Sequence, residues 1–247
     1  MMKSSPYYNL RRCLVAGGLA FYGAFLPAQQ LSVSPLRVTF KSEQNSETLT
    51  IRNPSTVPLT IQPKVMQWSQ VAGKDVLEAT RDVLVAPPLV EIAPGETQII
   101  RIALRRAPDA VQELSYRILL QQVVAPKRAD STGINFAFNV SLPIFVLPAV
   151  AEGTPAPTAQ LQWAAKLSDK MLLLSANNTG ALHLQVKKYR VESATGVSES
   201  QQMQYVLPGR QQEFAVKAPA GISGAGQKVT IVADTDAGEI RREALIQ

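Results

Sequence analysis

From about residue 31 onward, short runs of alternating apolar and polar residues fill the chain. Glu47-Thr48-Leu49-Thr50-Ile51 sets Leu49 and Ile51 on one face, and Leu59-Thr60-Ile61 and Ile100-Arg101-Ile102-Ala103-Leu104 alternate likewise. Tyr116, Ile118 and Leu120 share a face, with Ser115 and Arg117 on the other. Side chains of a strand point to opposite faces in turn, so this period predicts half-buried antiparallel strands. Asn53-Pro54-Ser55, Ala72-Gly73-Lys74-Asp75 and Ala93-Pro94-Gly95-Glu96 interrupt the runs with turn-forming residues. Roughly seven strands in about 120 residues is the count of an immunoglobulin-like sandwich.

Leu31 and Val33 alternate in one phase, and Leu36, Val38 and Phe40 in the other, with Pro35 at the change. A one-residue slip turns every side chain over, so a bulge or a change of sheet is expected there. Residues 149–158 are Pro-, Gly- and Ala-rich without periodicity and read as a linker. A second β region follows. Its strands are expected at Met171 to Leu174, His183 to Tyr189, Gln204 to Leu207, Glu213 to Val216 and Lys228 to Ala233. The expected fold is all-β, with two β-sandwich domains at 29–148 and 159–247 and no ordinary helix.

Residues 1–28 stand apart. Lys3, Arg11 and Arg12 precede the apolar run Cys13 to Leu26, and Ala28 offers a small residue for cleavage before Gln29. That is the pattern of a secretory signal peptide, and the run is shorter than the roughly 20 residues a spanning helix needs. The mature chain is then expected in the periplasm, without stable membrane insertion. It would also lack cysteine, because Cys13 is the only one.

Composition removes further classes. Of 25 lysines and arginines, three fall in the leader, while all 19 acids lie beyond it, so the remainder is only mildly basic. The basic residues are dispersed and not interleaved with aromatics, which argues against nucleic acid. His183 is the only histidine, on a strand face opposite Leu182 and Leu184. It reads as solvent-facing or hydrogen-bonded. One histidine and no cysteine cannot build the usual zinc sites, and no Gly-x-Ser-x-Gly elbow accompanies it. Asp234, Asp236 and Glu239 lack calcium-loop spacing and read as a polar turn. No catalytic residue, metal or cofactor is expected, and the chain is not expected to be an enzyme.

One segment stands out. In residues 134–146, Ile134, Phe136, Phe138, Val140 and Leu142 fall on one face, while Asn135, Ala137, Asn139 and Ser141 fall on the other. An interior sandwich strand fits this pattern. So does an edge strand made to pair with another chain, which would also invite self-association.

Three stretches resemble the PapD-like periplasmic pilus chaperones of the chaperone–usher pathway. They are Ser34 to Phe40, Pro87-Pro88-Leu89-Val90-Glu91-Ile92-Ala93-Pro94-Gly95-Glu96 through Arg101, and Asn135 to Pro148. Tyr205 to Gly209 resembles the second domain of the branch called archaic. The resemblance implies two immunoglobulin-like domains in an L, or boomerang. It implies binding of pilus subunits by donor-strand complementation, followed by delivery to an outer-membrane usher. The donor strand would be about Gly133 to Leu142, inserting Ile134, Phe136, Phe138, Val140 and Leu142. Arg37 matches the family's first anchor for the subunit's terminal carboxylate. Pro143 stands where classical members have a second anchor, a lysine, and Arg101 is nominated in its place. Glu113 and Asp236 match two members of an interdomain charge cluster, but Leu147 replaces its arginine, so the cluster itself is not among the expectations.

Two other classes compete. A secreted β-sandwich adhesion or carbohydrate-binding module would use loop aromatics, yet Trp68 and Trp163, the only tryptophans, lie in no aromatic cluster along the sequence. A pilus subunit would usually have one domain.

Overall fold

The computed structural model describes residues 31–41, 43–124, 137–151 and 153–247. The first half contains β1 (Ser32–Ser34), β2 (Val38–Phe40), β3 (Ser46–Arg52), β4 (Leu59–Val71), β5 (Lys74–Ala79), β6 (Val83–Ala86), β7 (Val90–Ile92), β8 (Thr97–Leu104), β9 (Leu114–Gln122) and β10 (Asn139–Val146). The second half contains β11 (Leu161–Ser168), β12 (Met171–Asn178), β13 (Leu184–Glu192), β14 (Val197–Ser200), β15 (Gln204–Val206), β16 (Gln211–Lys217), β17 (Lys228–Thr235) and β18 (Gly238–Leu245). No described residue is helical.

Each half forms two sheets. In the first, β1-β3-β8-β6 faces a sheet ordered β2-β10-β9-β4-β5, with β7 also on β4. In the second, β11-β12-β16 faces β14-β13-β17-β18, with β15 also on β13. One apolar core is drawn from residues between Val38 and Val146, and another from residues between Leu161 and Ile246. The chain is therefore all-β, with two immunoglobulin-like sandwiches.

The phase flip at Pro35 is a change of sheet. Ser32–Ser34 pair antiparallel with β3, whereas Val38–Phe40 pair parallel with Ile144–Val146 of β10. The turn between them carries Leu36 and Arg37 and ends at the junction of the domains. β10 then serves two cores at once. Leu142, Ile144 and Val146 point into the first sandwich, while Phe145, on the opposite face, packs at the junction with Trp68 and Leu207.

A repeated asparagine corner shows that the halves are built alike. Asn53 donates through Nδ2 to the carbonyls of Val57 (2.8 Å) and Ile92 (2.9 Å), and its Oδ1 accepts from Ser55 N (3.0 Å). Asn178 donates to Leu182 (2.8 Å) and Val206 (3.0 Å), and accepts from Gly180 N (3.0 Å). Each asparagine backbone also carbonyl-caps a Pro-Gly turn, accepting from Gly95 N (2.7 Å) and Gly209 N (2.9 Å) respectively. Both glycines have positive φ, 79° and 65°, a region that side chains disfavour.

Candidate functional site

A cleft of about 640 Å³ runs between the domains. The first domain contributes Leu36, the β4–β5 hairpin, and the paired strands β9 and β10 through Arg117 and Pro143. The second contributes Gln185 and the β15 region around Tyr205.

Gln70 joins the two walls. Its carboxamide donates to Tyr205 O (2.9 Å) and accepts from Leu207 N (3.0 Å). A single buried side chain thus supplies β15 with the donor and acceptor that a neighbouring strand would offer. Asp75 also accepts from it, at 3.0 Å. Beneath this lies an aromatic cluster. Trp68 meets Phe145 at 6.0 Å and Tyr205 at 5.4 Å between ring centroids. Trp163 meets Phe214 at 5.4 Å in the second core. The sequence shows no aromatic cluster at either tryptophan because the partners come from distant strands.

Two arginines stand at the domain junction, and one of them, Arg117, lines the cleft. Arg37 donates to Asp236 Oδ2 at 2.7 Å, across the domain boundary, and keeps 42% of its side chain exposed. Arg117 stands directly opposite Pro143 in the β9–β10 register. Its guanidinium lies 4.0 Å from the centre of the Trp68 ring and donates to Ser141 Oγ at 3.2 Å. Asp75 is 3.9 Å away, and Arg117 Nε is buried without a partner among the described residues. Burial lowers its pKa and Asp75 opposes that; an arginine stays charged under such conditions. Arg101 is exposed on β8, between Thr48 and Ala86 in register, and so stands on the other sheet of the first domain. The sequence signal for Arg117 was its place on the polar face of β9; what it faces needed the fold.

His183 precedes β13 and is nearly buried, its side chain 11% exposed. Nδ1 lies 2.8 and 2.9 Å from the two oxygens of Glu113, whose side chain is fully buried. Nε2 lies 3.5 Å from Asp236 Oδ2. Glu113 and Asp236 meet in one interdomain cluster, with the ring nitrogens of His183 between their carboxylates. Of its two expected settings, His183 takes the hydrogen-bonded one. The Asp236 turn is polar, as expected, and also structural. Burial pushes the Asp236 carboxyl up, but bonds from His183, the Gln185 N–H and Arg37 outweigh this and hold it well below the usual carboxylate range.

Of the expected donor residues, Ile134 and Phe136 lie outside the described residues. Phe138 and Val140 are half-buried against the first core, and Leu142 is buried in it. Beside Asn139–Pro143, β9 pairs one edge of β10, and no described strand pairs the other; the pairing with β2 begins only at Ile144.

The geometry defines a two-domain β-sandwich whose cleft, lined by Lys74, Asp75 and Arg117, lies beside a strand edge that no described strand pairs. Residues 30–152 match the model of the pili and flagellar-assembly chaperone PapD N-terminal domain. The chain belongs to the PapD-like chaperones. No curated protein matches it by sequence. Solved structures share the fold. One is the chaperone–tip subunit pre-assembly complex CsuC–CsuE of archaic Csu pili of Acinetobacter baumannii (18% identity, TM-score 0.65, covering 88% of this chain and 99% of that one). Another is the Salmonella enterica SafA pilin in complex with chaperone SafB (17%, 0.57, 88% and 97%). A third is the E. coli chaperone DraB (18%, 0.56, 89% and 96%). This family and fold are of chaperones, not enzymes.

Proposed function

We propose that this chain is a periplasmic chaperone that caps pilus subunits by donor-strand complementation and delivers them to an outer-membrane usher. The observation that carries this reading is the edge of β10 at Asn139–Pro143, which no described strand pairs and which ends beside Arg37, next to Val38, and Arg117, which lines the cleft. An exposed strand edge supplies backbone bonds to an incoming strand, and alternate side chains fill that partner's groove. A strand running along this edge would bring its terminal carboxylate to the two guanidinium groups. Arg117 is the second cation in this reading, since it adjoins Pro143; Arg101 is on the other sheet. Relatives crystallised with a pilin or a tip subunit support the partner class. The archaic branch belongs to this reading through the stretch Tyr205 to Gly209. Membership of the family supports delivery to an usher as the next step of this reading. The competing carbohydrate-binding reading loses its platform, because both tryptophans pack against other aromatics.

The test is co-purification from periplasm with identification of the bound protein, beside a copy lacking Gly133 to Leu142. The reading expects a stoichiometric pilus subunit on the intact chain alone. Equal recovery on both copies rejects it.

A further inference from the structure

His183 sits where the two domains meet. Glu113 reaches it from the segment before β9, Asp236 from the turn after β17, and Arg37 from the turn before β2. Phe145 of β10 and Tyr205 of β15 flank its ring. These are the charged and titratable groups that face it. Nδ1 is committed to Glu113, so it carries a proton in either charge state.

Nε2 is the variable atom. It lies 3.5 Å from Asp236 Oδ2 and 3.4 Å from Arg37 Nη1. The carboxylate asks this nitrogen for a proton, whereas the guanidinium asks it for a lone pair. One atom cannot serve both. Arg37 and His183 moreover share the same oxygen of Asp236. We propose that His183 is a positioning residue for Arg37: protonated, it takes over Asp236 and frees the guanidinium for a carboxylate in the cleft, and neutral, it holds the guanidinium back.

Charge balance gives the same direction. With imidazolium present, the cluster of Arg37, His183, Glu113 and Asp236 is neutral, and two adjacent cations repel. With neutral imidazole the cluster carries one net negative charge, which retains the Arg37 cation. Burial opposes the charged imidazole, but the bonds and charges of Asp236 and Glu113 outweigh it and lift the pKa above the ordinary 6.5. Asp236 thus acts as an internal stand-in for the partner's carboxylate. This inference rests on the reading that Arg37 receives that carboxylate.

Because His183 is the chain's only histidine, its ring signals in an untagged sample are unambiguous. NMR would follow them together with the Arg37 Nε–H signal from about pH 5 to about pH 9. The two should titrate with one midpoint, and His183→Gln should abolish the Arg37 transition. A short alternating apolar peptide with a free C-terminal carboxylate, beside its amidated twin, probes the cleft. The free acid should bind about fivefold tighter or more below the midpoint than above it, a modest coupling between linked sites. His183→Arg, a permanent cation, should bind at the acid-side strength at every pH. The proposal fails if Arg37 ignores the His183 titration, or if His183→Gln keeps the wild-type profile. It also fails, with the capture reading intact, if the acid is preferred equally at every pH. If Arg37 follows His183 but acid and amide bind alike, the coupling stands and the capture reading falls.

Discussion

The imidazole of His183 stacks on the ring of Phe145, centroids 3.5 Å apart and planes inclined by 7°. The two residues come from different domains, so this contact is a measure of how the domains hold each other. Phe145 is fully buried, yet it faces away from the sandwich core that its neighbours Ile144 and Val146 complete. Phe145→Ala should therefore cost about 3–5 kcal/mol, felt chiefly as lost coupling. Calorimetry should show one cooperative melt resolving into two. An unchanged single transition would mean that Phe145 does not join the domains.

Stability should depend on pH through the same cluster. The His183 pKa is raised in the folded chain, so its contribution is full below the ordinary 6.5 and is lost as pH rises through the higher folded value. The Asp236 pKa is lowered, so its contribution is full above the ordinary 3.8 and is lost as pH falls through its depressed value. The junction is thus tightest between about pH 4 and about pH 6.5. Melting temperatures across that range should fall on both sides. Asp236→Asn should flatten the acid limb, and His183→Gln the alkaline one. A variant that leaves its limb unaltered assigns that limb to another group.

The asparagine corners should be the most sensitive polar positions in the two cores. Asn53 and Asn178 are fully buried, and each satisfies several backbone groups at once. Removing the carboxamide strands those groups away from water, at about 1–3 kcal/mol each. Asn178→Ala should destabilise the second domain by about 3 kcal/mol or more, and Asn178→Asp should not restore it, because a carboxylate cannot donate to two carbonyls. Denaturant melts of both variants check this; near-native stability of the aspartate variant contradicts the bonding scheme.

Local pattern carried the fold class and most strands. The period-two runs became β3, β8, β9 and β10, and the proline phase flip became the switch between β1 and β2. Strands with weaker alternation leave little local signal, among them β11 and β14, where Trp163-Ala164-Ala165 and Val197 to Ser200 give little contrast between faces. The likeness of the halves lies in bonding, not in composition: Asn53 begins Asn-Pro-Ser and Asn178 begins Asn-Thr-Gly. The cleft was the least legible part. Its walls are assembled from residues as far apart as Arg37 and Asp236, and no spacing along the chain reports such a pair.

The three candidate anchor arginines make separable predictions. Arg37→Ala should weaken subunit capture by about 1.5–3 kcal/mol, the range for a charge-assisted hydrogen bond, and leave the fold intact. Arg117→Ala should weaken capture similarly and also destabilise the junction, since its guanidinium covers the Trp68 ring. Arg101→Ala is the discriminating control. If it reduces capture as much as Arg37→Ala, the anchor belongs to Arg101 and the assignment to Arg117 is wrong.

The inward face of β10 grades from half-buried to fully buried along its length. Phe138 and Val140 are half-buried, Leu142 is buried at 7% exposure, and Ile144 is fully buried. The two ends should therefore respond differently to the same truncation. Ile144→Ala removes a fully packed side chain from the first core and should cost about 2–5 kcal/mol of stability. It should affect capture only as far as it unfolds the domain. Phe138→Ala removes a ring that the free chain only half covers, so its stability cost should be well below that range. If Phe138 also fills a partner's groove, capture should collapse while the melting temperature hardly moves. Thermal melting and subunit pull-down of the two variants, side by side, decide the matter. A stability loss at Phe138 equal to that at Ile144, with capture falling only in proportion, makes β10 an ordinary core strand along its whole length and removes it as the donor.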